Sequence, residues 1–312
     1  SLSTISGNKT SNGFGFSDYW LIKINVNGAK QWDITFGGTS DDIFSSIVST
    51  SDGGYILGGH SQSNANGNKT RNSFSFGLRD YWLIKINANG VKQWDSIYGG
   101  TSIDGFNSIV PTNDGGFLLG GYSASNISGN KTSNSFGSND YWLVKIDANG
   151  TKQWDSIYGG TVTDQLNTIV PTSDGGYLLG GYSTSNANGN KTRNSFGFSD
   201  YWVVKIDANG TKQWDSIYGG SLGEELNTII STKDGGYLLG GFSASGLATG
   251  NKTRASFGQE DYWVVKINAN GVKQWDSIYG GTNEDLLRNI LPTADGGYLL
   301  GGTSISNSSG NK

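Results

Sequence analysis

The sequence predicts an all-β fold made of one four-stranded antiparallel unit written five times. Three observations lead there. First, the tripeptide Asp-Tyr-Trp begins at Asp18, Asp80, Asp140, Asp200 and Asp261, at intervals of 62, 60, 60 and 61 residues in a chain of 312. Second, Gln-Trp-Asp follows each copy, at Gln31, Gln93, Gln153, Gln213 and Gln274, so the two motifs hold all 10 tryptophans. Every large aromatic anchor therefore belongs to the repeat, and a period of this size marks a solenoid, a propeller or an array. Third, apolar residues nowhere recur at helical spacing over a window of about 11 residues. The 50 Gly and 3 Pro, with abundant Asn, Ser and Asp, are the composition of short strands and tight turns.

The third unit shows the elements in order. Strand a (Leu166 to Pro171) is followed by a Thr-Ser-Asp-Gly-Gly turn and strand b (Tyr177 to Ser183), a hairpin signalled by Asp-Gly. A polar stretch from Ser183 to Ser199 leads into strand c (Tyr201 to Ile206), then an Asp-Ala-Asn-Gly turn and strand d (Lys212 to Tyr218). Near-continuous apolar runs such as Tyr201-Trp202-Val203-Val204 imply sheets covered on both faces. Four-stranded antiparallel blades of a β-propeller meet that requirement.

Phase at the termini points to closure. The chain opens in a b-to-c loop, makes strands c and d first (Asp18 to Phe36) and ends on strands a and b (Leu286 to Ser304). Two strands from each terminus would complete a shared blade, giving a single five-bladed domain over residues 1–312. Its repeats run 18–79, 80–139, 140–199, 200–260 and 261–312 with 1–17. A ring would also remove exposed edges. The alternatives are a β-solenoid and an excised piece of a longer array, since a sixth, partial Gly-Asn-Lys ends the chain at Lys312.

Composition excludes several classes of function. The formal charge of -4, from 22 basic and 26 acidic residues mixed along the chain, leaves no footprint for nucleic acid. No segment approaches the roughly 18 apolar residues of a spanning helix. With no Cys there is neither a disulfide framework nor a thiolate metal site. The lone histidine, His60, stands where other units carry Tyr122, Tyr182, Phe242 and Thr303, so no His-based triad or metal cluster can form. The expectation is a non-enzymatic protein without cofactor or metal. Lys23, Lys85, Lys145, Lys205 and Lys266 recur inside strand c, where an ammonium must reach solvent or pair with a turn Asp.

The layout, an inner strand ending in Ser-Asp-Gly, a second ending in Gly-Gly, a third carrying Trp and then a fourth, resembles WD-repeat and kelch propellers. Runs such as Thr-Ser-Asp-Gly-Gly-Tyr-Leu-Leu-Gly-Gly-Tyr and Asp-Tyr-Trp-Val-Val-Lys-Ile-Asp-Ala-Asn-Gly-Thr-Lys-Gln-Trp resemble repeats of secreted, cell-surface proteins of Bacteroidetes-type bacteria, cargo of type IX secretion. That resemblance covers essentially the whole chain. It implies an extracellular, propeller-like module.

In a propeller the b-to-c and d-to-a connections share one face. Here that face carries loops of about 15 residues, and loops of that length are uncommon without a function. Each contains Gly-Asn-Lys, giving the candidate binding residues Asn8, Lys9, Asn68, Lys69, Asn130, Lys131, Asn190, Lys191, Asn251 and Lys252. An acid four residues after each aromatic-Gly-Gly adds Asp42, Asp104, Asp164, Glu224 and Asp285. Amide, ammonium, hydroxyl and carboxylate beside an aromatic such as Phe196 are the mixture a sugar asks for, and repeated weak sites gain avidity on a multivalent surface. The expected function is an extracellular binding module for glycans or a cell surface. The alternative is a structural or protein-interaction module of a large surface adhesin or assembly.

Overall fold

A computed structural model describes residues 1–246 and 248–312. Among them are twenty strands, no helix, and six antiparallel sheets. β1 (Tyr19–Ile24) and β2 (Lys30–Phe36) form a two-stranded sheet. Four-stranded sheets follow, each in chain order. The first is β3 (Asp42–Ser49), β4 (Tyr55–Ser61), β5 (Asp80–Ile86) and β6 (Lys92–Tyr98). The second is β7 (Asp104–Pro111), β8 (Phe117–Ser123), β9 (Asp140–Ile146) and β10 (Lys152–Tyr158). The third is β11 (Asp164–Pro171), β12 (Tyr177–Ser183), β13 (Asp200–Ile206) and β14 (Lys212–Tyr218). The fourth is β15 (Glu224–Ser231), β16 (Tyr237–Ser243), β17 (Asp261–Ile267) and β18 (Lys273–Tyr279). β19 (Asp285–Pro292) and β20 (Tyr298–Ser304) make a last two-stranded sheet.

The four-stranded repeat is thus as expected, and the fold is compatible with a propeller-like arrangement. Among the described residues β1 with β2 and β19 with β20 are two-stranded sheets, so four complete four-stranded sheets stand where five complete blades were expected. Local hairpins form from local turn signals, whereas joining the first strand to the last needs an edge contact that no turn enforces.

Turn chemistry sets the register. At the c-to-d turn of the first complete sheet, Asn87 Oδ1 accepts from the amides of Asn89 and Val91, and Gly90 takes φ +82°, open to glycine at no steric cost. In each a–b pair one residue bulges out, between Leu166 and Thr168 in the third sheet. The bulged Asn167 donates Nδ2 to the carbonyl of Leu226 at 2.8 Å, tying strand a to strand a of the following sheet.

The chain divides into two compact units, residues 1–135 with 142–157 and residues 136–141 with 158–312. Within each, the same aromatic pair links consecutive sheets. In the first unit Tyr19 lies against Trp82 and Tyr81 against Trp142, with ring centroids 5.0 and 4.8 Å apart. In the second, Tyr141 meets Trp202 and Tyr201 meets Trp263 at 4.6 and 4.7 Å. The tyrosine hydroxyl donates to the backbone carbonyl of the same tryptophan, at 3.0 Å for Tyr81 and 2.9 Å for Tyr201. All eight rings are fully buried.

The Gly-Gly of strand b permits this approach. A Cβ on Gly180 would strike Leu226 and Ile229 of the following sheet. One on Gly181 would strike the Gln165 carbonyl and stand 2.9 Å from the Tyr141 hydroxyl. The first glycine therefore admits the next sheet and the second admits the tyrosine.

Candidate functional site

The structure turns the expected ligand residues onto the chain's own backbone. Asn68 accepts from Gly37 N and donates to Thr35 O, each at 2.9 Å. Asn130 makes the same two bonds to Gly99 and Ile97, and Asn251 to Gly219 and Ile217. Asn190 accepts from Gly159 N. Asn8 is exposed, and its carbonyl accepts from Lys30. Lys9, Lys69, Lys131, Lys191 and Lys252 are buried, their ammonium groups donating to the carbonyls of Ser3, Ser63, Ser125, Ser185 and Ser245. These residues fold the long loop back onto strand d of the previous sheet and onto itself.

The acids are likewise internal. Asp42, Asp104, Asp164, Glu224 and Asp285 each open strand a, where the sequence placed them in an exposed loop, and all are buried. Each accepts from a Gly-Gly amide, Gly38, Gly100, Gly160, Gly220 and Gly281 in turn. Each also accepts from the hydroxyl of a serine just after strand b, Ser63, Ser125, Ser185, Ser245 and Ser306. None presents a carboxylate to a ligand at the surface. Asn68→Ala, which removes two bonds anchoring a loop, is expected to cost about 1–2 kcal/mol. It should raise hydrogen exchange selectively at residues 66–72; unchanged exchange there would rule out the anchoring role.

Burial sets the electrostatics of this layer. Asp80, the Asp of the Asp-Tyr-Trp motif, accepts from the amides of Phe74 and Ser75, while its Oδ1 is buried with no hydrogen-bond partner among the described residues. Burial is the main cause that pushes it up to about 7, with the Asp104 carboxylate adding to it and the bonds from Ser75 and Phe74 opposing it. Asp200, beside Glu224, is raised to about 7 by the same kinds of cause. Burial lowers Lys69, Lys191 and Lys252 to about 8, partly offset by the surrounding carboxylates. A sealed carboxylate pair of this kind has titratable chemistry but no route for a substrate.

A second carboxylate layer fixes the loop from the other side. Asp95, of Gln-Trp-Asp, accepts from Trp82 Nε1 at 3.1 Å, from Thr70 N at 3.0 Å and from Lys92 Nζ at 3.0 Å. Burial would raise its pKa, but these bonds outweigh it and hold the carboxyl below the usual range. The strand c lysines pair with turn acids, Lys85–Asp52 at 2.7 Å, Lys145–Asp114 at 2.8 Å, Lys205–Asp174 at 2.9 Å and Lys266–Asp234 at 3.0 Å. His60 takes the aromatic position opposite Tyr81, and burial, then the Arg79 charge, lower the imidazole to about 4.

The surface that a ligand would meet is built mostly from other residues, with Asn130 and Asn251 alone of the expected set on its lining. In the first unit a groove of about 320 Å³ is lined by Arg71, Asn72 and Phe74 of one long loop and by Tyr98, Asn130 and Lys152. The second unit repeats it at about 400 Å³ with Arg193, Asn194, Phe196, Tyr218, Asn251 and Lys273. Arg254, Phe257, Tyr279 and Asn311 line a third copy. Phe74, Phe196 and Phe257 are 39–47% exposed. No ion pair engages Arg71, Arg193 or Arg254 among the described residues. The sequence pointed to Phe196 but not to the arginines, which vary with Ser11 and Ser133 at the matching position; that variation within an otherwise repeated loop was the available signal. A larger groove of about 660 Å³, lined by Asp52, Lys85, Gln93, Trp94, Phe117 and Asn149, lies at the tight-turn end, where only short turns were expected.

No family model matches the chain. The chain is similar to the regulatory protein FlaEY of Caulobacter vibrioides, 23% identical over 92% of this chain but 33% of that protein, so it spans about a third of its relative's length. Among solved structures, Sqt1 from Chaetomium thermophilum aligns over 80% of this chain and 64% of its own, at 10% identity and a TM-score of 0.36. A Glu150Asp mutant of the Synechocystis apocarotenoid oxygenase aligns over 87% and 58%, at 11% identity and a TM-score of 0.40. At these scores the likeness carries no argument about activity.

Proposed function

We propose that the chain is a non-enzymatic, extracellular binding module that uses the long-loop surface to hold glycans, propeller-like in the arrangement of its sheets. The observation that supports this reading is the thrice-built groove pairing an exposed Phe with an Arg free of ion pairs among the described residues. A phenyl face packs against sugar C–H groups, while the guanidinium recognises carboxylates in two-pronged fashion. The basic lining favours acidic sugars over neutral ones. The inward-bonded Asn and the buried Lys and acid sets then act as the supports that hold these loops still. The second reading, a structural or protein-interaction module, is favoured by that same internal use of polar side chains.

The test is an array of acidic and neutral oligosaccharides probed with the protein displayed on beads. Binding to uronic or sulfated sugars is expected, and Arg71→Ala/Arg193→Ala/Arg254→Ala should weaken it by about 100-fold through loss of avidity. Absence of any binding at high valency sinks the glycan reading.

A further inference from the structure

Inside the first unit, the groove of about 660 Å³ at the tight-turn end runs between the first and second complete sheets, a volume within the range of about 300–1,000 Å³ usual for small-molecule sites. Lys85 of β5 stands directly opposite Trp94 of β6, and the a-to-b turns of both sheets and the c-to-d turn of the second complete the lining. The two tryptophans of this first sheet are used differently. Trp82 is fully buried and donates Nε1 to Asp95, whereas Trp94 is half-buried and its N–H has no acceptor among the described residues. A Cβ on Gly150 would come within 2.9 Å of the Trp94 ring, so that glycine, at φ +79°, lets the indole reach across to the second sheet. An indole held in this way has an apolar body packed on the protein and a polar N–H left for a ligand.

Polar groups with unused bonding capacity share the groove with that ring. Gln93 and Asn149 are exposed, and their side-chain amides form no hydrogen bond among the described residues. Asp52 and Lys85, the charged residues of the lining, pair at 2.7 Å, so the groove carries no net charge. Bonds from Lys85, Thr50 and Gly54 all end on Asp52 Oδ1 and hold the carboxyl below its usual range. They leave Oδ2 as an ionised acceptor with no bond to it among the described residues. The second unit repeats the components. There Asp174 pairs with Lys205 at 2.9 Å, a Cβ on Gly271 would come within 2.7 Å of the half-buried Trp214, and Gln213 and Asn270 are exposed.

We infer that this groove is a second binding site, for a neutral saccharide, distinct from the arginine groove of the same unit, with which it shares no lining residue. A sugar ring offers a face of C–H groups that packs on an indole, and adjacent hydroxyls that each donate and accept. The groove meets those hydroxyls with two planar amides that do both, an indole donor and a carboxylate acceptor. Lys85 is already engaged by Thr50, Asp52 and the Ile86 carbonyl, so no cation remains for an acidic sugar, whose carboxylate would instead face Asp52 Oδ2. The two kinds of groove thus divide their ligands by charge.

The test titrates the full chain with lactose, cellobiose, maltose and methyl mannoside, read by the indole N–H signals of a ¹H–¹⁵N spectrum in which Trp94→Phe assigns the Trp94 signal. A saturable shift of that signal with at least one of these sugars is expected below about 50 mM, the range of a site with millimolar affinity. Gln93→Ala combined with Asn149→Ala should weaken binding by about ten-fold, since two hydrogen-bonding amides are lost. Neither side chain braces the fold, so the urea midpoint of that variant should match the wild type. Glucuronate should give no saturable shift. Absence of a saturable shift with all four sugars overturns the inference. So does a shift that the double variant leaves unchanged, or a stronger response to glucuronate or to a proline-rich peptide. The arginine variants read the long-loop grooves and the Gln93/Asn149 variant reads this one, so either site can fail without the other.

Discussion

Trp202→Ala is expected to lower the free energy of unfolding by about 3–5 kcal/mol. The indole is fully buried on β13, 4.6 Å from the Tyr141 ring, and donates Nε1 to Asp215 at 3.1 Å. Truncation opens a cavity at the repeated contact between sheets and removes one of the donors that hold Asp215 ionised. Trp202→Phe separates the two effects. It keeps most of the volume and removes the donor, so a loss of about 1–2 kcal/mol is expected, with Thr192 and Lys212 still bonded to the carboxylate. Trp275→Ala is the control, because that ring is 45% exposed and should cost under about 1 kcal/mol. Urea midpoints at one protein concentration read all three. Equal losses at Trp202 and Trp275 would contradict the division of the tryptophans into buried anchors and half-exposed partners.

That division shows what the sequence could and could not carry. Counting placed all ten tryptophans in the repeat, and the periodicity located strands b and d with the observed bounds, Tyr177–Ser183 and Lys212–Tyr218. Both depend on local signals, a short run of strand-forming residues and an Asn-Gly or Asp-Gly turn. Strand a begins two residues earlier than its apolar run, at Asp164, because a buried acid is invisible to hydrophobic patterning. The same limit explains the candidate site. A polar residue repeated in every loop reads equally as a ligand or as a brace, and only geometry shows that Asn68 faces Gly37 N and Thr35 O. Closure was illegible for another reason. Complementary ends are written in the sequence, but whether they meet within one chain depends on no local rule.

Asp80→Asn is expected to stabilise the protein above neutral pH and to leave it nearly unchanged in acid. The folded state holds this carboxyl up at about 7, through burial and then the neighbouring Asp104, against about 3.9 in an unfolded chain. The folded form therefore keeps a proton that the unfolded form releases. Its favourable contribution is fully present below about pH 4 and is lost as pH rises through 7. Over that window each such group costs up to about 4 kcal/mol, and Asp200 behaves alike. Asn retains an oxygen for the amides of Phe74 and Ser75 and puts an N–H donor where the unpartnered Oδ1 now sits, next to the Gly99 and Asp104 side of the site. Stability of the wild type should fall between pH 5 and 8, and the variant should flatten that slope and gain about 2–4 kcal/mol at pH 8. Lys69 works in a separate window: its pKa is lowered to about 8, so the folded form binds fewer protons than the unfolded one only above that pH, where stability rises again. Carboxylates of the Asp95 type, held low by Thr70, Lys92 and Trp82, act in the opposite sense, favouring the folded state above about pH 4 and losing that effect in stronger acid. Urea unfolding from pH 2 to 10 on wild type, Asp80→Asn and Asp200→Asn distinguishes the three groups. Variants that track the wild type from pH 5 to 8 would show that Asp80 and Asp200 keep an ordinary carboxylate pKa in the fold and that burial does not raise it.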